Sequence, residues 1–188
     1  MKFFKRMVSL TLLLAAALMT TACGRVLLSV EPLATDSNSV FDQDLLGVWT
    51  SVQDDDDPAI VSVREGKDHT YEIRWFAAKS GESYQVNGRL VRINGQYILD
   101  VTPSDSQNLY ISGHAFVYIG EIRDELQVEL LDSEWLRDQV SKSTQLPHYD
   151  AEGSPVITGT SAQLQNFISE FGMNELARSE PVSLRRLK

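Results

Sequence analysis

Residue types that could carry out acid–base, nucleophilic or metal chemistry are few and scattered in this chain. The three histidines, His69, His114 and His148, lie far apart, and none has the His-x-x-x-His spacing or the cysteine partner that would indicate a zinc site. The sequence also lacks the Gly-x-Ser-x-Gly pattern of a nucleophile elbow. The pattern therefore predicts no metal, no cofactor and no enzyme active site.

A run of four aspartates, Asp54–Asp57, invites comparison with a calcium site. Calcium loops space their oxygen ligands around a turn-forming glycine and end on a glutamate at position twelve. Here the carboxylates are consecutive, and alternate side chains of an extended segment point apart. The run is more typical of a solvated, self-repelling loop tip between two strands.

His114 differs from the other histidines because its segment, Leu109–Ile119, is otherwise largely apolar or aromatic. Ligand pockets are mostly apolar with a few placed polar groups. An inward imidazole would therefore orient a ligand in a cavity that it shares with Phe116, Tyr118 and Trp75. The alternative is a hydrogen-bonded core or surface histidine without a ligand.

The N-terminus has the layout of a secretory signal. A basic stretch, Met1–Arg6, precedes an apolar run of thirteen residues, Met7–Met19. A bilayer-spanning helix needs about 20 apolar residues, whereas a run of about 7–15 suits a signal peptide. The sequence therefore predicts an N-terminal signal helix that is removed on export.

The residues that follow, Thr20-Thr21-Ala22-Cys23, resemble the lipobox of bacterial lipoproteins. The resemblance implies a diacylglycerol on the sulfur of Cys23, cleavage before it, and acylation of the new amino group. Gly24 stands where an aspartate would favour the inner membrane, so the resemblance implies the outer membrane, facing the periplasm of a Gram-negative bacterium. The alternative is an ordinary signal peptide with a chance cysteine nearby.

Composition limits what the exported chain binds. Cys23 is the sole cysteine, so no internal disulfide can form. Loss of the three basic residues of the signal takes the formal net charge from −9 to −12, which argues against nucleic acid. We expect three segments: a signal peptide over 1–22, a lipidated tether over 23–43 and a single domain over 44–188. The alternative for residues 26–30 of the tether is an edge strand added to the domain.

Most of the domain is predicted to form β-strands. Tyr71, Ile73 and Trp75 alternate with charged residues, as in a half-buried strand. Asn94-Gly95 between two apolar runs predicts a type I′ hairpin turn. Similar segments predict about eight strands, at 46–52, 60–64, 71–75, 84–93, 97–99, 109–119 and 126–130, with late strands at 156–157 and 182–187.

Two short helices are predicted after these strands. Ser133 can cap a helix that runs to about Val140. Thr160 and Gln163 have the spacing of a capping box, and an apolar stripe from Leu164 to Phe171 follows them. The order predicts a mostly β fold, either an up-and-down barrel or a strongly curled sheet, with both helices packed outside.

Gly47-Val48-Trp49 on the first strand resembles the Gly-x-Trp of the lipocalins, a calycin family. The resemblance covers roughly residues 45–171 in the order of elements and implies an eight-stranded barrel whose floor is closed by Trp49. It also implies a binding protein for a small apolar or amphipathic ligand. The alternative is a cell-envelope assembly partner with a filled barrel, whose protein partner the sequence does not identify.

Overall fold

The structure is a computed structural model that describes residues 27–52, 58–104, 113–131, 133–143, 145–151, 154–172, 174, 177–179 and 181–187. The predicted signal peptide, Cys23 and the run Asp54–Asp57 lie outside these residues.

The described residues form a mostly β fold with two short α-helices, as predicted. The helices are α1 (Ser133–Lys142) and α2 (Ser161–Phe167). Short 3₁₀ helices occupy Gln43–Leu45 and Lys67–His69, and a π-helix, Ile168–Gly172, continues α2. The strands are β1 (Leu28–Ser29), β2 (Ser39–Val40), β3 (Gly47–Ser51), β4 (Ala59–Glu65), β5 (Tyr71–Ala77), β6 (Ser83–Ile93), β7 (Gln96–Pro103), β8 (Ala115–Ile122), β9 (Glu125–Leu130), β10 (His148–Ala151), β11 (Ser154–Ile157) and β12 (Val182–Arg186).

Eight strands close into an antiparallel barrel. Strands β3 to β9 pair in chain order, and β12 pairs with both β9 and β3. The closing strand is in register on both sides, because Leu184 lies opposite Leu126 on β9 and opposite Ser51 on β3. The prediction of an up-and-down barrel is therefore confirmed, and the open curled sheet is excluded.

The two ends of the barrel differ in their connections. At one end, called the closed end, lie the 3₁₀ helix Gln43–Leu45 and the tight turns after β4, β6 and β8. The turn after β6 has positive φ at both Asn94 and Gly95, as predicted for type I′. At the other end, called the open end, strands β3, β5 and β7 end and strands β4, β6 and β8 begin.

Side chains alternate along the strands between two separate apolar cores. The inner core lies inside the barrel and includes Trp49 on β3 and Val117 on β8. The outer core lies between the wall β6–β8 and the helices, and it includes Phe116 of β8, Leu136 of α1 and Leu164 of α2. Residues 115–119 of β8 are apolar or aromatic because each face of this part of the strand lines one of the two cores.

Both helices belong to the segment between β9 and β12 and pack on the outside of the barrel. Thr160 caps α2 through the predicted capping box with Gln163. Leu164 and Phe167 are buried in the outer core, and Phe171 packs against it at a ring distance of 5.1 Å from Phe167. The apolar stripe predicted from the sequence is therefore the face that docks on the barrel.

The expected tether over 23–43 is too long, because its described part is folded onto the barrel. Leu33 and Leu27 are buried in the outer core. Strand β1 pairs with β11, and β2 pairs with β6. We call residues 27–42 the N-terminal strap. Its polar residues suggested a solvated linker, but they bond within the strap: Thr35 and Asn38, for example, form a local turn.

Candidate functional site

The floor of the barrel is built around Trp49, as the Gly-x-Trp resemblance implies. Trp49 is completely buried, and its indole N–H donates to the carbonyl of Leu45 at 3.1 Å. The guanidinium of Arg186 on β12 stacks on the indole, 4.2 Å from the ring centre. That guanidinium also donates to the carbonyl of Leu46 at 2.6 Å, which fixes the 3₁₀ helix across the closed end.

Gly47 is required at its position in this floor. Its φ is +139°, a backbone conformation that side chains disfavour. A Cβ there would also lie 2.7 Å from Nη1 of Arg186. Reasoning from sequence did not pair Arg186 with Trp49, although the alternation of the last strand could have suggested an inward arginine.

Tyr71 seals the closed end beside Trp49. Its hydroxyl accepts from the backbone N–H of Asp42 at 2.7 Å and donates to the Asp42 carbonyl at 3.2 Å, and its ring stacks on Phe41. Burial raises the pKa of Tyr71 to about 12. Together with the buried Leu90, these groups leave no surface that water can reach at the centre of the floor.

The inward side chains above the floor do retain such surface. On β8 the outward Phe116 and Tyr118 are 3% and 2% exposed, because the outer core covers them. Their inward neighbours Ala115, Val117 and Ile119 are 6–7% exposed. All five residues are buried, and the three on the inner face retain slightly more surface than the two on the outer face.

Strand β7 has the same pattern. The inward Leu99 and Val101 are more exposed than the outward Ile98 and Asp100, which are covered by the outer core and the N-terminal strap. All of these residues are buried, and the inward ones that retain some surface lie above the sealed floor.

Two stacked aromatic rings lie between the inner core and the open end. Trp75 on β5 and Tyr84 on β6 are both half-buried, and their rings stack at 5.5 Å. Trp75 packs against the inner core, as expected for an inward residue of the alternating strand Tyr71–Ala77. Trp75 is thus the one predicted ligand-binding residue that the structure places on the inner face.

The other three predicted ligand-binding residues lie elsewhere. Phe116 and Tyr118 belong to the outer core, and His114 precedes β8 on the same side as they do. The expectation that they face the barrel interior is therefore wrong, because alternation puts Ala115 and Val117 inward instead. Whether they contact a ligand from the outer side stays a prediction.

His114 has a structural partner. Its Nδ1 lies 2.7 Å from Oδ1 of Asp100, a buried carboxylate on β7. The other oxygen of Asp100 accepts from the backbone N–H groups of Leu33 and Ala34, at 2.8 and 2.9 Å. The pair fastens the N-terminal strap to the barrel wall.

Tyr118 also bonds within the outer layer. Its hydroxyl donates to the carbonyl of Gly172 at the end of the π-helix, and the guanidinium of Arg178 stacks on its ring at 4.4 Å. Burial raises the pKa of Tyr118 to about 12, although the positive charge of Arg178 opposes this shift. Tyr118 therefore joins the barrel wall to the segment that leads into β12.

Above the floor, where Arg186 stacks on Trp49, the inner core is apolar. Among the described residues, Ser29 and Asp100 are the buried polar or charged side chains, and both lie outside the barrel. The described ranges contain no group of three His, Cys, Asp or Glu side chains that could hold a metal ion. None of the helices in these ranges combines the length and hydropathy that a membrane crossing requires.

Comparison with known proteins adds no relative, because no family model, curated protein or solved structure matches this chain.

Proposed function

We propose that this protein is a lipocalin-like binding protein, which holds a small apolar or amphipathic molecule inside its barrel. The observation that supports the proposal is the closed eight-stranded barrel, whose inner core above the floor is apolar. Such a lining favours an apolar ligand, because burying a charge without a partner is costly. A polar group of the ligand would lie at the open end, near Trp75 and Tyr84.

Trp75 and Phe76 offer a matched test of ligand binding inside the barrel. The two aromatics are neighbours on β5, but Trp75 faces the inner core and Phe76 is exposed on the outer surface. Binding of a fluorescent fatty-acid probe would be titrated for Trp75→Leu and Phe76→Leu. Loss of a stacking aromatic should weaken probe binding by about 1–2 kcal/mol, roughly 5–30-fold, in Trp75→Leu alone.

Two outcomes would contradict ligand binding inside the barrel. If neither variant nor the unaltered protein binds the probe, and native mass spectrometry of residues 24–188 finds no co-purified molecule, the interior is not a ligand site. The barrel would then act as a scaffold whose outer surface matters. Equal probe affinity in the two variants would place the ligand elsewhere on the protein.

The same proposal includes a lipid anchor on Cys23 in the outer membrane, with the barrel in the periplasm. The lipobox resemblance of Thr20–Cys23 supports it, together with the use of a single cysteine in an exported chain. Two or more acyl chains make such an anchor stable.

Metabolic labelling with a fatty-acid analogue tests the anchor. Cys23→Ala should abolish incorporation of the label and leave an uncleaved precursor, because the lipoprotein peptidase acts after lipid transfer. A conservative substitution in the tether, such as Val26→Leu, should leave labelling unchanged. Label retained on the Cys23→Ala variant would rule out this lipidation site.

A further inference from the structure

The small sheet formed by β1, β11 and β10 lies beside the open end of the barrel. The backbone of Ser29 on β1 exchanges two hydrogen bonds with His114, the residue before β8, at 3.0 and 2.8 Å. Leu28 packs against the inner core and lies 3.5 Å from the position that a Cβ on Gly113 would occupy. Strand β1 is therefore fixed to the rim where β8 begins.

One face of this sheet is apolar and only partly exposed, since Leu28 and Val156 on it are half-buried. Leu28, Val156 and Tyr149 lie opposite one another on the three strands, so their side chains share a face. The other face is buried through Ser29 and Ile157. On the partly exposed face Tyr149 is 69% accessible, and Val30, two residues after Leu28, is 37% accessible.

The length of chain between this sheet and Cys23 limits where the anchor can lie. Leu27 is 3% exposed and buried in the outer core, so its position is fixed. Cys23 precedes it by four residues. Even a fully extended chain covers only about 3.3–3.6 Å per residue, so Cys23 lies within roughly 14 Å of Leu27.

From these observations we infer that the exposed part of this face, formed by Val30 and Tyr149, rests on the surface of the lipid bilayer. This inference depends on the proposed lipid anchor at Cys23. Tyrosine suits such a place, because its ring is apolar and its hydroxyl stays in contact with water or headgroups. The contact is apolar rather than electrostatic, because the chain is acidic after signal removal and anionic lipids would repel it.

This orientation bears on how a ligand reaches the barrel. The face lies beside the rim of the open end, so a hydrocarbon chain that leaves the bilayer there would enter the barrel after a short path through water. Removing each CH₂ from an apolar environment costs about 0.8 kcal/mol, so a short path favours exchange.

Site-specific fluorescence quenching tests the orientation on the full lipidated protein. Cys23 is the sole cysteine and its sulfur would carry lipid, so an added cysteine is the one reactive thiol. Val30→Cys and Val48→Cys form a matched pair, since the two valines are 37% and 39% exposed. Val48 lies on β3, on the far side of the barrel from β7 and β8. Tyr149→Cys is a second position on the proposed face.

Each variant would be labelled with an environment-sensitive fluorophore and reconstituted in phosphatidylcholine vesicles that contain a nitroxide-headgroup lipid. We expect strong loss of fluorescence for labels at positions 30 and 149 and little loss at position 48. Equal quenching at all three positions, or stronger quenching at 48, would overturn the orientation while leaving the anchor intact. Failure of the protein to float with the vesicles would overturn the anchor, and the inference with it.

Discussion

Asp100 offers the sharpest test of how the N-terminal strap is held, because one buried carboxylate satisfies three donors. The N–H groups of Leu33 and Ala34 donate to one oxygen, and His114 Nδ1 lies 2.7 Å from the other. Asp100→Ala leaves these donors without an acceptor behind a covered wall. Each unsatisfied buried group costs about 1–3 kcal/mol, and partial hydration near His114, whose side chain is 18% exposed, reduces the sum.

We therefore expect Asp100→Ala to lower the free energy of unfolding by about 3–5 kcal/mol, as measured by urea titration with tryptophan fluorescence. Asp100→Asn keeps one acceptor oxygen for the two backbone N–H groups but places an amide against His114, so a smaller loss of about 1–2 kcal/mol is expected. Amide hydrogen exchange at Leu33 and Ala34 should accelerate in both variants.

Asp36→Asn is the control for this series. Asp36 also belongs to the strap and pairs with Arg89 at 3.2 Å, but its side chain is almost fully exposed. Such surface pairs contribute about 0–1 kcal/mol. If Asp100→Ala were no more destabilising than Asp36→Asn, the strap would not depend on the Asp100 carboxylate, and the reasoning from buried donors would be refuted.

Three further predictions concern the two cores. Phe167→Ala should cost about 3–5 kcal/mol in thermal or urea unfolding, because Phe167 is buried under α2; an unchanged melting point would mean that α2 is not docked. The pKa values of Tyr71 and Tyr118 are each raised to about 12, so the folded state favours their protonated hydroxyls. The free energy of unfolding that this preference contributes is fully present below about pH 10 and is lost as the pH rises through about 12. Urea titrations at about pH 9 and 11 should show this loss of stability, and the loss should be smaller in the double variant Tyr71→Phe, Tyr118→Phe. His114→Leu should lower stability by about 1–3 kcal/mol and leave probe affinity unchanged; weaker probe binding would return His114 to the ligand site.

Local patterns in the sequence were enough to predict most strands and the cap of α2. Alternation located β5, a positive-φ turn at Asn94-Gly95 joined β6 to β7, and the capping box began α2 at Ser161. These features depend on residues close together in the chain, so they can be read without knowing the fold.

The inward face of β8 could not be predicted in the same way. Ala115–Ile119 is apolar on both faces, because one face lines the barrel and the other lies under the helices. Alternation then gives two equivalent sets of side chains and no means of choosing between them. The assignment of Phe116 and Tyr118 to the interior failed for this reason.

Contacts between segments that are distant in the chain could not be predicted from the sequence either. Asp100 bonds to a strap 66 residues away, and Arg186 stacks on a tryptophan 137 residues before it. The strap looked like a linker because its polar residues suit a turn, and local composition carries no sign of a partner on β7.

The two cores cover the two faces of the wall β6–β8. Burial of large apolar side chains contributes about 1.5–3 kcal/mol each. The outer core supplies fully buried groups such as Leu136, Leu164 and Ile168, which stabilise this wall from outside. Trp75 is half-buried on the inner face, close to the open end. We therefore expect mutations in the outer core to lower stability, and mutations at Trp75 to weaken binding.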